Sequence, residues 1–127
     1  MKRIVICAFL MVPISAAAAG LACDTRPAKN TPASALPGLA RISKAEAQKR
    51  ALARLKSQSA EIVSAELEVE EGCLVYSFDI RLSGKPGVEE IMVDAGTGKI
   101  VSHKHETAAQ EAAERAKDRA TAAKKAK

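Results

Sequence analysis

The spacing of hydrophobic residues changes once along the chain, and the change separates a helix from a set of strands. Ala47, Ala51 and Leu55 recur every fourth residue with Leu52 beside them, while Lys44, Lys49, Arg50, Arg54 and Lys56 lie mostly elsewhere around the axis. This predicts an amphipathic helix with a narrow face, whose alanines allow close approach to a sheet. Ser43 stands at the N-cap position, Glu46 three residues later completes a capping box, and Ile42 is placed to staple onto Ala47. Further on the period becomes two. Val63, Ala65, Leu67 and Val69 alternate with Ser64, Glu66, Glu68 and Glu70, which predicts a half-buried strand with the valines, Ala65 and Leu67 inward. Glu71-Gly72 supplies a turn, after which Leu74, Tyr76, Phe78, Ile80 and Leu82 face one way and Cys73, Val75, Ser77, Asp79 and Arg81 the other.

Residues 83–87 contain Gly-Lys-Pro-Gly and predict a second turn, and residues 88–93 a third strand with Ile91 and Val93 on one side. Asp94-Ala95-Gly96-Thr97-Gly98 closes that strand, and residues 99–102 return as a short fourth. A helix followed by a β-meander predicts an α+β fold, with one N-terminal helix packed on a three- to four-stranded antiparallel sheet. The second strand holds Tyr76 and Phe78, two of the three aromatics in the sequence, the other being Phe9. Phe78 is therefore the side chain whose loss should hurt the core most.

The ends of the chain differ in kind from this unit. Residues 1–19 have basic Lys2 and Arg3, an apolar run and a small-residue site with Ala17 and Ala19, the three parts of a secretory signal peptide cleaved before Gly20. The run is too short to span a bilayer. Residues 20–40, rich in Pro, Ala, Ser and Thr, read as a flexible linker. Residues 103–127 read as a helical charged tail: Thr107 and Gln110 form a second capping box, Glu111 and Arg115 are spaced for an ion pair, and Ala109, Ala113, Ala116, Ala120 and Ala123 make a stripe that buries little. Its basic end, Lys124, Lys125 and Lys127, is suited to a partner or an anionic surface, but a frayed, solvated helix is the simpler account.

Net charge is +5, but the excess sits at the ends. Residues 41–102 carry nine basic and ten acidic side chains, with neither a basic stripe nor a platform of stacking aromatics. That distribution argues against a nucleic-acid partner.

Cys23 supports two exclusive readings. Gly20-Leu21-Ala22-Cys23 resembles a lipobox with its aliphatic and small residues in the reversed sense, and lipidation at Cys23 would extend the signal to residues 1–22 and give the only membrane attachment. Alternatively, Cys23 and Cys73 are the only thiols left after cleavage, and a disulfide between them would form in an oxidising compartment.

Ile42-Ser43 with Ala47 and Ala51, Tyr76 in the second strand, and Val93-Asp94-Ala95-Gly96-Thr97-Gly98-Lys99-Ile100 together resemble the PepSY domain over residues 41–102. These motif positions are structural: Asp94 is placed to accept backbone N–H bonds in its turn, and Gly98 to take a positive φ. The resemblance implies a non-catalytic module of exported proteins that binds or restrains a peptidase or another protein of the cell envelope, in the periplasm or outside the cell. It implies no catalytic residue and no cofactor.

Residue chemistry agrees with that expectation. His103 and His105 are the only histidines, both at the end of the predicted domain, so the general base a hydrolase needs is the scarce item. Two imidazoles two residues apart on an extended segment could hold zinc, copper or nickel, which makes a metal-handling accessory protein the alternative function. Glu66, Glu68 and Glu70 form an acidic row that reads as the solvated side of a one-faced sheet, although calcium or a basic partner could use it.

Overall fold

The structure, a computed structural model, describes residues 20–57 and 59–126. The signal-peptide segment, residues 1–19, lies outside the described residues. The order of elements is a 3-10 turn (Ala33–Ala35), α1 (Leu36–Leu39), α2 (Lys44–Leu55), β1 (Ala60–Glu70), β2 (Cys73–Leu82), β3 (Val88–Asp94), β4 (Ile100–Glu106) and α3 (Ala108–Lys125). The four strands form one antiparallel sheet in chain order, β1-β2-β3-β4, so the fold is α+β with helices before and after a meander.

Helix α2 begins as its sequence dictates. The Ser43 hydroxyl accepts from the Glu46 backbone N–H at 3.1 Å. The reciprocal half of the box does not form, because Glu46 accepts from Arg50 Nε at 3.0 Å one turn further on. Ala47 and Ala51 are fully buried, and their small side chains let the helix lie close over Leu74, Tyr76, Phe78, Ile80, Ile91 and Val93 of the inner sheet face. Burying side chains of this size contributes about 1.5 to 3 kcal/mol each before ordering entropy is subtracted. The rings of Tyr76 and Phe78 lie 6.5 Å apart, and the Tyr76 hydroxyl donates to the Ile42 carbonyl at 3.0 Å, so the one polar atom of that core pair is satisfied at the helix entry.

Three expectations need correction. Strict alternation fails in β1, where the register slips between Ile62 and Ser64. The extra residue turns Ile62 toward the core in place of Val63, which is left 36% exposed; Val69, near the end of the strand, is 43% exposed. The fourth strand does not stop at residue 102 but runs to Glu106, which puts His103 and His105 inside the sheet rather than in the tail. Finally, residues 20–40 are docked rather than a free linker. Leu36 of α1 is buried in the main core, the Leu74 N–H donates to the Thr25 carbonyl at 2.9 Å, and Arg41 and Ile42 donate to the Ala95 carbonyl at 2.9 and 3.1 Å. Its Pro- and Ala-rich composition correctly excludes long helix and strand; what it cannot reveal is that the polar backbone of a loop finds its partners on a folded neighbour.

The outer face of the sheet is consequently covered twice. At one end the leader packs Leu21 and Cys23 over Cys73, Val75 and Met92, a second small core with Val101 at its edge. At the other end α3 lies across the acidic side chains of β1 to β4. The α3 helix starts at a complete capping box: Thr107 Oγ1 accepts from the Gln110 N–H at 3.3 Å and Gln110 Oε1 accepts from the Thr107 N–H at 2.9 Å. None of its residues is buried.

Candidate functional site

The turn residues of the predicted motif, Asp94, Thr97 and Gly98, lie at the end of the sheet where the leader docks, while Ala47, Ala51 and Tyr76 belong to the main core. Asp94 is fully buried at the end of β3. Its Oδ1 accepts from the Gly96 and Thr97 N–H groups at 2.8 and 2.9 Å and from the Thr25 hydroxyl at 2.8 Å, and its Oδ2 accepts from the Asp24 and Thr25 N–H groups at 2.8 and 3.0 Å. Burial by itself would raise the carboxyl pKa, but the bonds from Thr97, Thr25 and Asp24 outweigh it and hold Asp94 well below the usual carboxylate range. Asp94 is therefore a permanent anion that fastens the turn to the leader. Gly98 takes the expected positive φ of 76°, its N–H donates to the Asp94 carbonyl at 2.8 Å, and a Cβ there would stand 2.7 Å from the Arg50 guanidinium. Thr97 adds a hydroxyl donor to Asp24 Oδ2 at 3.3 Å.

The same leader carries Cys23 to Cys73 at the start of β2, with the sulfurs bonded at 1.99 Å and the Cα atoms 5.9 Å apart across a separation of 50 residues. Asp24 and Thr25, immediately after Cys23, escape any reading confined to residues 41–102. The signal that could have found them is a buried aspartate with more acceptor capacity than its own turn can fill.

His103 and His105 lie on the inner face of β4, beyond the cover of α2, and the antiparallel register sets them opposite Ile91 and Glu89. His103 Nε2 is 2.9 Å from Glu89 Oε2 and His105 Nδ1 is 3.0 Å from Glu89 Oε1. One carboxylate thus engages both rings, and those two bonds help to hold the Glu89 pKa below its ordinary value against the opposing effect of burial. Glu89 was legible in principle, because alternation back from Ile91 puts it on the face the histidines share. Among the described residues neither imidazole bonds a serine, threonine or cysteine, so no nucleophile and base are brought together. The nitrogens that face Glu89 are directed at a carboxylate rather than at a common point between the rings, and no trio including them converges to metal-ligand spacing among the described residues.

The third cluster is a cleft of about 350 Å³ between the outer sheet face and α3. Glu66 and Glu68 reach it from β1, Asp79 from β2, Glu90 from β3, Glu106 from the end of β4, and Glu111, Glu114, Arg115 and Asp118 from α3. Carboxylate oxygens of Glu90, Glu106 and Glu114 all lie within 4.8 Å of one another. Burial first and the Glu106 charge second push Glu90 up to about 7, and burial with neighbouring carboxylates raises Glu68, Asp79 and Glu106 as well. The acidic row is thus more than a solvated face: Glu68 is half-buried, whereas Glu66 remains exposed.

A helix laid on an antiparallel meander, with one buried anion tying down the turn that ends β3, is the frame of this α+β fold. The family model described as "Peptidase propeptide and YPEB domain" matches residues 41–104, and the chain belongs to this PepSY family. PepSY domains are in general non-catalytic propeptide or regulatory modules. No curated protein and no solved structure matches the chain. No described helix is long and apolar enough to cross a membrane.

Proposed function

We propose that this protein is an exported, non-catalytic binding module that holds or restrains a peptidase or another protein of the cell envelope, with the open edge of β1 as its contact. The observation that carries this reading is the edge itself. β1 is an eleven-residue outer strand of the sheet, and Val63 and Val69 stand exposed on it. An extended segment of a partner can add to such an edge, with main-chain hydrogen bonds supplying affinity and the two valines an apolar grip. Export is supported by the signal-like residues 1–19 and by the Cys23–Cys73 bond, which persists only where the compartment is oxidising. A bonded Cys23 has no thiol to give to a lipid, which favours a soluble periplasmic or secreted form over a lipoprotein. The metal-handling alternative has less behind it, since Glu89 already engages both imidazoles.

The test uses the chain from Gly20 onward, purified with its disulfide and immobilised in an envelope extract, beside a Val63→Glu/Val69→Glu variant. The expected result is recovery of a peptidase whose proteolysis slows on adding the purified protein, with the variant losing both effects while melting as the parent does. Capture unchanged in the variant would remove the β1 edge. Saturable hydrolysis of a generic ester or peptide by the protein itself would remove the non-catalytic reading.

A further inference from the structure

We propose that α3 is a pH-gated cover, docked on the outer sheet face in mild acid and released from it as its facing carboxyl groups ionise. The inference stands on the interface. The charged side chains that meet across it come from five elements: Glu66 and Glu68 on β1, Asp79 and Arg81 on β2, Glu90 on β3, Lys104 and Glu106 on β4, and Glu111, Glu114, Arg115, Asp118 and Arg119 on α3. Acids outnumber bases, and they are not spread evenly. Glu90 and Glu106 from the sheet and Glu114 from the helix bring oxygens within 4.8 Å of one another, while Lys104 acts on Glu90 and Arg115 on Asp79.

Beyond Val88, buried on the same face opposite Glu106, little that is apolar compensates for this meeting of like charges. The helix buries no residue, its stripe is alanine, and the sheet cation that pairs with it is Arg81, 3.9 Å from Glu111, which Arg115 of the helix itself also binds. Carboxylates set this close cannot all ionise cheaply; a proton shared between two of them turns repulsion into a hydrogen bond.

The direction of the pH effect follows from the helix's own share in it. Glu114 raises the pKa of Asp79, Glu90 and Glu106, and Glu111 raises that of Asp79, so lifting α3 lowers all three. The docked state therefore binds protons more tightly than the released one. Docking is strongest below the ordinary carboxyl value of 4.5 and weakens as pH rises toward about 7, where Glu90 titrates when covered. Released, α3 keeps its own capping box and the Glu111–Arg115 pair, so it detaches as a helix and uncovers the acidic face of the sheet.

Backbone 15N relaxation of the full mature chain, recorded at low salt from pH 5 to pH 8, tests this. At pH 5 the amides of α3 should tumble with the sheet; by pH 8 they should move independently, with the docked-to-released ratio down by at least about tenfold, the change a one-unit pKa difference in a single carboxyl produces. A Glu90→Gln/Glu106→Gln/Glu114→Gln variant should stay docked throughout, and Arg81→Gln should be the more mobile at every pH. Unchanged amide shifts for Phe78 and Ile91 confirm that each variant is folded. Equal α3 mobility at pH 5 and pH 8 in the parent chain overturns the proposal, and so does a pH response that persists undiminished in the triple variant.

Discussion

The two covers on the outer face of the sheet are built on opposite principles. The leader is held by one anion and many donors: Asp94 is buried with five hydrogen bonds, the Cys23–Cys73 bond closes the same corner, and Leu21 packs over Val75 and Met92. Helix α3 faces several anions with few donors and leaves no side chain buried. A buried charge is tolerated when its acceptor capacity is filled and resisted when its neighbours carry the same sign. The leader end should therefore be a fixed part of the fold, and the helix end a conditional one.

The largest expected effect falls on what both covers share. Phe78 is fully buried beneath α2, and Phe78→Ala should cost about 3 to 5 kcal/mol in chemical denaturation. Both ends should lose their ordering in the same transition. A variant that melts like the parent would mean that β2 presents its other face to the core.

Next in size is the covalent half of the leader's attachment. Cys23→Ser opens a loop of 50 residues and should lower stability by about 3 to 4 kcal/mol on the chain-entropy estimate. Hydrogen exchange should then rise at residues 21–31 while α3 is unaffected, since the two covers share no contact residue in their clusters. Intact mass provides the matching control: a parent protein two hydrogens below its reduced mass carries the disulfide, and one carrying acyl chains does not. Lipid at Cys23 would remove the covalent half of the contrast altogether.

Asp94→Asn tests the polar half. The amide keeps the shape, yet presents N–H hydrogens where one carboxylate oxygen had accepted, and charged-acceptor bonds are lost; about 2 to 3 kcal/mol should go. The pH dependence separates this from ordinary repacking. Because the folded pKa of Asp94 is depressed, its stabilisation is fully present above the ordinary value of 3.8 and is lost as pH falls below it. The parent should thus lose stability more steeply than the variant in acid, and parallel acid limbs would show that the carboxylate charge adds nothing.

How far these features were readable from sequence depends on whether a residue's partner is near in the chain. Ser43, Tyr76, Gly98 and the Thr107 capping box act on neighbours or on a regular face, and period and turn chemistry place them correctly. Failures arise where a partner comes from outside the pattern. The slip between Ile62 and Ser64 exchanges Val63 for Ile62, and alternation carries no mark of a bulge. Cys73 and Val75 fall on the face expected to be wet but are buried, because the leader arrives from 50 residues away. His103 and His105 extend β4 without any hydrophobic signal, so the period alone ends the strand before them.

The smallest effect should come from removing α3. Deleting residues 107–127 takes away no side chain that is buried among the described residues, so the change in stability at neutral pH should be within about 0.5 kcal/mol, as for surface groups elsewhere. Its sign is the informative part. With α3 present, the raised pKa values of Asp79, Glu90 and Glu106 add stability in acid that disappears as pH rises; without it, the contribution of Glu111 and Glu114 to those shifts is gone. The full chain should therefore be the more stable of the two at pH 5 and lose that advantage by pH 8. Thermal melts of the two chains across this range measure the difference directly, and an advantage that does not shrink with rising pH would place α3 among the fixed parts of the fold, beside the leader.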